Sequence, residues 1–159
     1  MSGTKYGKYI LREPLEKGPG APSIHACGHE DCYGSVGFPA ELQLLYITRP
    51  FTMKEMPHVH DVDELLFIWG GNPSNFFEFD AEIELYLGEE QEMHLIDTTA
   101  IVYIPKGLPH CPIIIRRVGK PFMWGHILFK AVYPPMPGFP KHSDRVRYSP
   151  EEARVLRGR

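Results

Sequence analysis

In "MPHVHDVDELLFIWGG", residues 56–71, polar residues come directly before an apolar run. His58 and His60 are two residues apart, and Glu64 follows four residues after His60. On a strand, residues of the same parity share a face, so these three side chains would project together. Imidazole nitrogens and a carboxylate oxygen are ligands for a borderline or hard divalent metal. The stretch therefore predicts part of a metal site beside a β-strand.

A fourth ligand is offered by "IPKGLPHC", residues 104–111. Pro105 and Gly107 predict a turn that redirects the chain just before His110. Four ligands of the type His, His, Glu, His leave open positions on an octahedral metal, where water or substrate binds. The pattern therefore favours a reactive metal site over a closed structural one.

The composition limits the class of protein. The chain has 159 residues and a formal net charge of −3, which predicts one domain over 1–159 and no nucleic-acid partner, because a nucleic-acid footprint needs clustered Lys and Arg. The start, "MSGTKYGKYI", lacks a secretory pattern, and no apolar run approaches the ~18 residues that span a bilayer. The three cysteines suit reduced thiols rather than a disulfide framework. We therefore expect a cytoplasmic protein without a membrane partner.

Frequent turn residues predict an all-β fold. Sixteen prolines and fifteen glycines separate short runs rich in β-branched and aromatic residues. The predicted strands are 41–48, 63–69, 81–87, 92–96, 100–104, 112–118 and 122–133, with a peripheral strand over 6–11. Ser149, Pro150 and Glu152 form a capping-box pattern that predicts a short C-terminal helix. We divide the chain into a loop-rich N-terminal arm (1–40), a barrel core (41–133) and a C-terminal extension (134–159).

The two motifs resemble those of the cupins. The first cupin motif reads G-x5-H-x-H-x3,4-E-x6-G, and this chain supplies His58, His60, Glu64 and Gly71. The second reads G-x5-P-x-G-x2-H-x3-N, and this chain supplies Pro105, Gly107 and His110. The departures all fall at positions that do not bind metal, namely Thr52, Thr99 and Ile114 in place of two glycines and an asparagine.

The resemblance covers roughly residues 41–130 and implies a cupin-type β-sandwich or jelly-roll barrel with a metal inside its mouth. It also implies that His58, His60, Glu64 and His110 hold one divalent transition metal: iron, manganese, nickel or zinc. The chain is similar to small single-domain cupins, a family that permits dioxygenase, decarboxylase, isomerase or lyase chemistry. The alternative function is a non-catalytic small-molecule binder or sensor.

Further residues are candidates for the chemistry. His126 shares a strand face with Trp124 and would orient a metal ligand or act as an acid or base if that face lines the barrel. Tyr103 is a second catalytic candidate, and Tyr46 is a candidate for binding a substrate oxygen; core packing is the alternative for both. Arg49 and Arg116 are candidates for binding a substrate carboxylate, with exposed charge as the alternative.

Two expectations concern other parts of the chain. His25, Cys27, His29 and Cys32 in "HACGHEDC" are zinc-type ligands, but one compact stretch makes a poor tetrahedron, so a polar loop is the alternative to a second metal site. We also expect a homodimer, by analogy with dimeric cupins, in which the N-terminal strand and "YPPMPGFP" (133–140) cover a partner's sheet.

Overall fold

The computed structural model describes residues 4–11, 15–17, 22–27, 39–53, 56–130 and 148–158. Within these ranges the chain forms two antiparallel sheets and a short C-terminal helix. The elements are β1 (Leu15–Lys17), β2 (Pro22–Cys27), β3 (Glu41–Ile47), β4 (Phe51–Met53), β5 (Glu64–Gly70), β6 (Ala81–Leu87), β7 (Glu92–Ile96), β8 (Ala100–Ile104), β9 (His110–Val118), β10 (Phe122–Leu128) and α1 (Pro150–Arg157). The predicted all-β class is confirmed.

The two sheets face each other across one apolar core. The larger sheet has the order β1-β2-β3-β10-β5-β8, and the smaller sheet has the order β4-β9-β6-β7. Core side chains come from both sheets, for example Leu45, Ile68 and Phe122 from the larger, and Ile83 and Ile115 from the smaller. Some neighbouring strands are distant in sequence, as in a jelly roll: β10 lies between β3 and β5, and β9 lies between β4 and β6.

Several predicted strand bounds agree with the structure. Strands β6, β7 and β8 have the predicted limits, because clean alternation or β-branched residues between turn residues fix both ends. Strand β9 starts earlier than predicted, at His110, and β10 ends at Leu128 rather than at 133. The position of a strand end depends on its partners, which the local pattern does not contain.

The predicted peripheral strand over 6–11 is wrong. Gly7–Tyr9 is instead a 3-10 helix, held by bonds between residues three apart, including Ile10 N donating to Gly7 O at 3.1 Å. Local bonds satisfy this backbone without a neighbouring strand. Strands β1 and β2, which the sequence analysis did not predict, join the larger sheet through β3.

The predicted C-terminal helix is confirmed. The Ser149 hydroxyl accepts a bond from Glu152 N at 3.2 Å, and the Glu152 carboxylate accepts one from Ser149 N at 2.8 Å. This reciprocal capping box satisfies two backbone donors at the start of α1. Glu152 also pairs with Lys17 of β1 at 2.7 Å, which ties the helix to the larger sheet. In the described ranges, no helix is long and apolar enough to cross a membrane.

On strands β3, β10, β5 and β8, the outward surface of the larger sheet carries no charged side chain. We call this surface the outer apolar face, and its residues are Leu42, Leu44, Tyr46, Leu65, Phe67, Trp69, Ile101, Tyr103, Met123, Gly125 and Ile127. The register aligns them in rows, such as Ile101, Phe67, Gly125 and Leu44. Apart from the inward Glu41, Gln43, Glu64 and His126, these strands are therefore apolar on both sides.

The outward surface of the smaller sheet is different. Arg116 forms two bonds of 2.8 Å to the Glu84 carboxylate, and Arg117 bonds to Glu82 at 2.9 Å. We call these four residues the outer charged face. Charged and polar side chains opposite a buried face are the usual arrangement for an antiparallel sheet exposed to water.

Candidate metal centre

The two loops that carry the predicted ligands are hydrogen-bonded to each other. His58 and His110 exchange backbone bonds, with N–O distances of 3.1 and 3.0 Å. Gly107 N also donates to the His60 carbonyl at 3.0 Å, from a turn in which Gly107 has a φ of +81°. Glycine suits this left-handed conformation because it has no Cβ. The loop before β5 and the turn before β9 therefore form one unit.

Three imidazoles converge at this junction. The ring centroids of His58, His60 and His110 are 4.3 to 4.9 Å apart, and their candidate ligand atoms all lie within 4.8 Å of one another. His60 and His110 are buried and His58 is half-buried. The sequence prediction that these histidines lie together is met by the geometry, although His58 and His60 lie in a loop rather than on a regular strand.

Backbone carbonyls set the tautomer of two of the imidazoles. Nδ1 of His58 lies 2.9 Å from the Met56 carbonyl oxygen, and Nδ1 of His110 lies 3.0 Å from the Leu108 carbonyl oxygen. A carbonyl only accepts hydrogen bonds, so each Nδ1 carries the hydrogen. The neutral ring then has its lone pair on Nε2, which is the tautomer of a metal ligand held in orientation by its other nitrogen.

Glu64 lies beside the three imidazoles at the start of β5 and is 3% exposed. Its Oε2 is 3.2 Å from His110 Nε2 and 3.4 Å from His60 Nε2. Oε2 is buried and makes no hydrogen bond of ordinary geometry to the described residues. Lone pairs of oxygen and nitrogen that face each other in a buried place repel unless a cation lies between them, so this donor set fits a divalent metal.

The carboxyl of Glu64 is strongly acidic in this setting. Burial raises its pKa, but contacts with the imidazoles of His110, His126 and His60 outweigh burial and hold the pKa well below its ordinary value. Glu64 is therefore ionised across the physiological range, which is the form that binds a metal.

His126 holds the other oxygen of this carboxylate. Its Nδ1 lies 2.9 Å from Glu64 Oε1. His126 pairs with Leu66 of β5, so it is the diagonal neighbour of Glu64 on the inner face of the larger sheet. The predicted role of His126 depended on whether its strand face lines the barrel. The structure places His126 on the inner face. The contact fixes Oε1 and leaves Oε2 directed at the imidazoles.

The structure does not bring four other predicted site residues to this cluster. Tyr103 and Tyr46 lie on the outer apolar face and are 57% and 47% exposed. Arg116 is bound to Glu84 on the outer charged face, and Arg49 is exposed in the turn after β3. Their residue types suit a substrate, but a residue type does not say which side of a strand faces inward. In the larger sheet both sides are largely apolar, so the strand pattern does not distinguish them.

Glu41, which is 0% exposed on the inner face of β3, was not among the predicted site residues. Glu41 pairs with Leu128 of β10, and Leu128 pairs with Glu64 of β5, so the two buried glutamates lie in one row two strands apart. The signal was present in "ELQLLYI", where Glu41 has the same parity as the core residues Leu45 and Ile47. A charged residue that shares the parity of core residues on its strand is a candidate site residue.

Two predicted features lie outside the described residues. These are the segment 133–140 and, from the possible second metal cluster, His29 and Cys32. His25 and Cys27 are placed in β2 by their backbone only. The second metal site therefore stays a prediction.

Comparisons with known proteins identify the fold. Neither the models of known protein families nor the curated protein sequences match this chain. Among solved structures, it is similar to an oxalate oxidase in complex with the substrate analogue glycolate, with 12% identity, a TM-score of 0.52 and coverage of 82% of this chain and 64% of that one. An RmlC-like cupin from Shewanella frigidimarina covers 76% of this chain and 85% of its own, with 7% identity and a TM-score of 0.44.

A cupin superfamily protein from Desulfitobacterium hafniense also matches, with 12% identity and a TM-score of 0.39, over 57% of this chain and 66% of that one. This chain thus spans just under two thirds of that cupin and of the oxalate oxidase. At such low identities the likeness concerns the fold, and the conclusion is that this chain has the cupin fold. The recognition made from the two motifs is confirmed at that level.

Two of the motif departures lie opposite each other. Thr52 of β4 pairs directly with Ile114 of β9, where the cupin motifs carry a glycine and an asparagine. The third departure, Thr99, uses its hydroxyl to donate to the Phe76 carbonyl at 2.5 Å. None of the three is a candidate ligand, so the departures leave the ligand set intact.

Proposed function

We propose that this protein binds one divalent transition metal through His58, His60, Glu64 and His110, and that it is an enzyme acting on a small oxygen-rich or carboxylate-bearing molecule. The observation that carries the proposal is the 3.2 Å approach of Glu64 Oε2 to His110 Nε2 in a buried place. Three imidazoles and one carboxylate suit Fe(II), Mn(II), Ni(II) or Zn(II). When bound, such a metal supplies Lewis-acid polarisation of a carboxylate or keto-enol oxygen.

The charges of the barrel support an anionic or oxygen-rich substrate. In the described part of the chain, no Lys or Arg is buried. A substrate carboxylate would therefore find its compensating charge at the metal, because three neutral imidazoles and one carboxylate leave a divalent ion with a net positive charge. His126 supports the same chemistry by fixing Glu64 through Oε1.

Trp124 offers a hydrogen-bond donor to a substrate oxygen. Its ring lies 5.4 Å from that of His126 on the same inner face, and the side chain is only 5% exposed. The indole Nε1 is buried and has no hydrogen-bond partner among the described residues. A buried donor without an acceptor costs about 1–3 kcal/mol, so an oxygen atom of a bound molecule would be stabilised there.

Metal content tests the proposed ligands. The wild-type chain, the double variant His58→Ala/His110→Ala and the control His94→Ala would be purified without chelator or histidine tag. His94 is an exposed histidine on β7, outside the cluster. Elemental analysis is expected to find about one metal per chain in the wild type and the control, and less than about a tenth of that in the double variant.

Two results would contradict this assignment. Metal retained by the double variant would show that the ligands lie elsewhere, and "HACGHEDC" would be examined next. A wild-type chain that stays empty after incubation with Fe(II), Mn(II), Ni(II) and Zn(II) would exclude the metal centre altogether. If the wild type does bind metal, a second measurement distinguishes the two functions. Turnover of small carboxylates such as glycolate by the metal-loaded chain would support an enzyme, whereas saturable binding without turnover would favour the non-catalytic binder.

A further inference from the structure

His110 faces the interior, although the alternation of its strand predicts the opposite. Along β9, Ile113 and Ile115 are buried in the core, so residues of odd number point inward wherever this strand alternates regularly. His110 has the other parity, yet it is 2% exposed and its ring centroid lies 4.3 Å from that of His58. The chain between His110 and Ile113 therefore reverses which residues of the strand face inward.

This reversal is a β-bulge. On the neighbouring strand β6, Leu85 pairs with Ile113, and Leu87 pairs with His110. One residue separates the two leucines on β6, whereas two residues separate His110 from Ile113 on β9. An extra residue in one strand shifts its alternation by one position, and bulges redirect side chains in this way near functional sites. The bulge therefore places His110 opposite Leu87, which packs against the core.

Cys111 provides the backbone conformation that the bulge needs. Its φ is +78°, in the left-handed region that residues with a Cβ rarely adopt. In one common type of bulge the first residue has this conformation and is a glycine. Pro112 follows on a strand that has neighbours on both sides, a place where proline is tolerated at a bulge because it has no N–H to donate to the ladder. Residues 111 and 112 thus both suit a bulge.

Backbone contacts hold the chain on both sides of the bulge. Before it, Gly88 N donates to the Pro109 carbonyl at 2.8 Å. After it, Ile113 pairs with Met53 of β4 and also with β6. The segment before the bulge is held by an isolated bridge to β4's side of the sheet, whereas the segment after it lies within two ladders. A different conformation at Cys111 would therefore displace the segment that carries the imidazole.

We propose, on the basis of the metal centre proposed above, that Cys111 is a positioning residue whose left-handed backbone turns the His110 imidazole into that centre. The Cys111 thiol is not part of the group of converging ligand atoms in the described structure, which consists of His58, His60 and His110. The backbone conformation of residue 111, rather than its sulfur, then determines whether the His110 imidazole reaches the metal. Glycine, which adopts a positive φ without cost to a side chain, would serve the same purpose.

Two substitutions at position 111 separate the effect of the backbone from that of the sulfur. Cys111→Gly removes the thiol and suits a left-handed residue, so its dissociation constant for Zn(II) is expected within about threefold of wild type. Cys111→Val places a β-branched side chain where a positive φ is strongly disfavoured, and it is expected to weaken Zn(II) binding at least about tenfold. Competition with a chelator of known affinity measures both constants in the full chain.

A second measurement reports the direction of the imidazole in the metal-free chain. Diethyl pyrocarbonate modifies exposed histidines, and mass spectrometry of the peptides identifies them. His110 is expected to be protected in the wild type and in Cys111→Gly, and to react in Cys111→Val. His94, whose side chain is 45% exposed, should react in every chain. The matched control is Ile113→Val, which introduces valine at the next inward position of β9 without changing the bulge, so it should keep the affinity and the protection of the wild type.

The outcomes distinguish this proposal from that of the metal centre. Zn(II) binding by Cys111→Val as tight as in the wild type, with His110 protected, would overturn the positioning role. Loss of binding in Cys111→Gly would overturn it too, because the sulfur would then be the essential group. A wild type that binds no metal would contradict the metal centre instead, and the reactivity of His110 would still test the bulge. If circular dichroism shows that Cys111→Val is unfolded, Cys111→Gly decides alone, since a position that needs a left-handed backbone has to tolerate glycine.

Discussion

The two sheets of this barrel have similar inner faces and opposite outer faces. Both contribute isoleucine and leucine to the core. Outside, the smaller sheet pairs Arg116 with Glu84 and Arg117 with Glu82, whereas the larger sheet presents Leu44, Phe67 and their apolar neighbours. The inner faces follow from the need to bury one core. The outer faces are free of that need, so burial of the core does not explain why one is charged and the other apolar.

The largest expected effect is a loss of stability when a side chain is added at the outer apolar face. A Cβ added to Gly125, on the outer apolar face, would lie 2.7 Å from the backbone oxygen of Gln43 and would overlap the side chain of Leu44. A neighbouring backbone cannot move aside, so Gly125→Ala is expected to lower the free energy of unfolding by about 2–3 kcal/mol. Urea denaturation of the purified variant measures this change.

Gly119→Ala is the matched control near the charged side. The three atoms nearest to a Cβ there all belong to the side chain of Asp80. Because a side chain can rotate away, we expect a cost below about 1 kcal/mol. A loss at Gly119 as large as that at Gly125 would show that the two regions are packed alike, contrary to this comparison.

The next largest effect is on metal affinity at the histidine cluster, which lies on the inner side of the larger sheet. His126→Phe removes the contact to Glu64 Oε1 and is expected to weaken metal binding about 10–100-fold, as is usual when the partner of a ligand is lost. Tyr103→Phe and Arg116→Ala are expected to leave metal affinity unchanged, since both residues lie on outer faces. Competition with a chelator of known affinity measures all three variants, and a marked loss in Tyr103→Phe would bring that residue back as a site candidate.

The smallest effect belongs to the outer charged face. The hydrogen bond from Arg116 lowers the pKa of Glu84 from its ordinary 4.5, despite an opposing contribution from burial. A carboxyl with a lowered pKa in the folded state adds stability that is present above its unfolded pKa and is lost as pH falls through its folded pKa. Glu84→Gln should therefore reduce the melting temperature slightly at pH 7, and the difference should vanish in acid.

Salt provides the control for this prediction. Exposed ion pairs contribute little and are screened, so the difference between wild type and Glu84→Gln should also shrink in 1 M salt, where the Debye length is about 3 Å. A difference that persists at low pH and in high salt would mean that Glu84 acts through packing rather than charge.

Much of the architecture could be predicted because it depends on local patterns. The alternation in "AEIELYL" gave the limits of β6, and the residues around Ser149 gave the capped helix. The predictions for the N-terminal region were wrong because local patterns there are weak. Gly7–Tyr9 shows little alternation, and β1 and β2 are strands because the edge of β3 is available for pairing.

Some residues of the candidate site could likewise be predicted from local spacing, and others could not. The spacing of His58, His60 and Glu64 and the turn before His110 could be predicted, because those relations span only a few residues. The contact of His126 with Glu64, a residue 62 positions away, and the burial of Glu41 in the same row follow from the three-dimensional arrangement of the strands. It also decided which apolar side of the larger sheet faces inward. The physical reason is that period-2 alternation assigns residues to a common face but does not say which face is inside; the register between distant strands settles that.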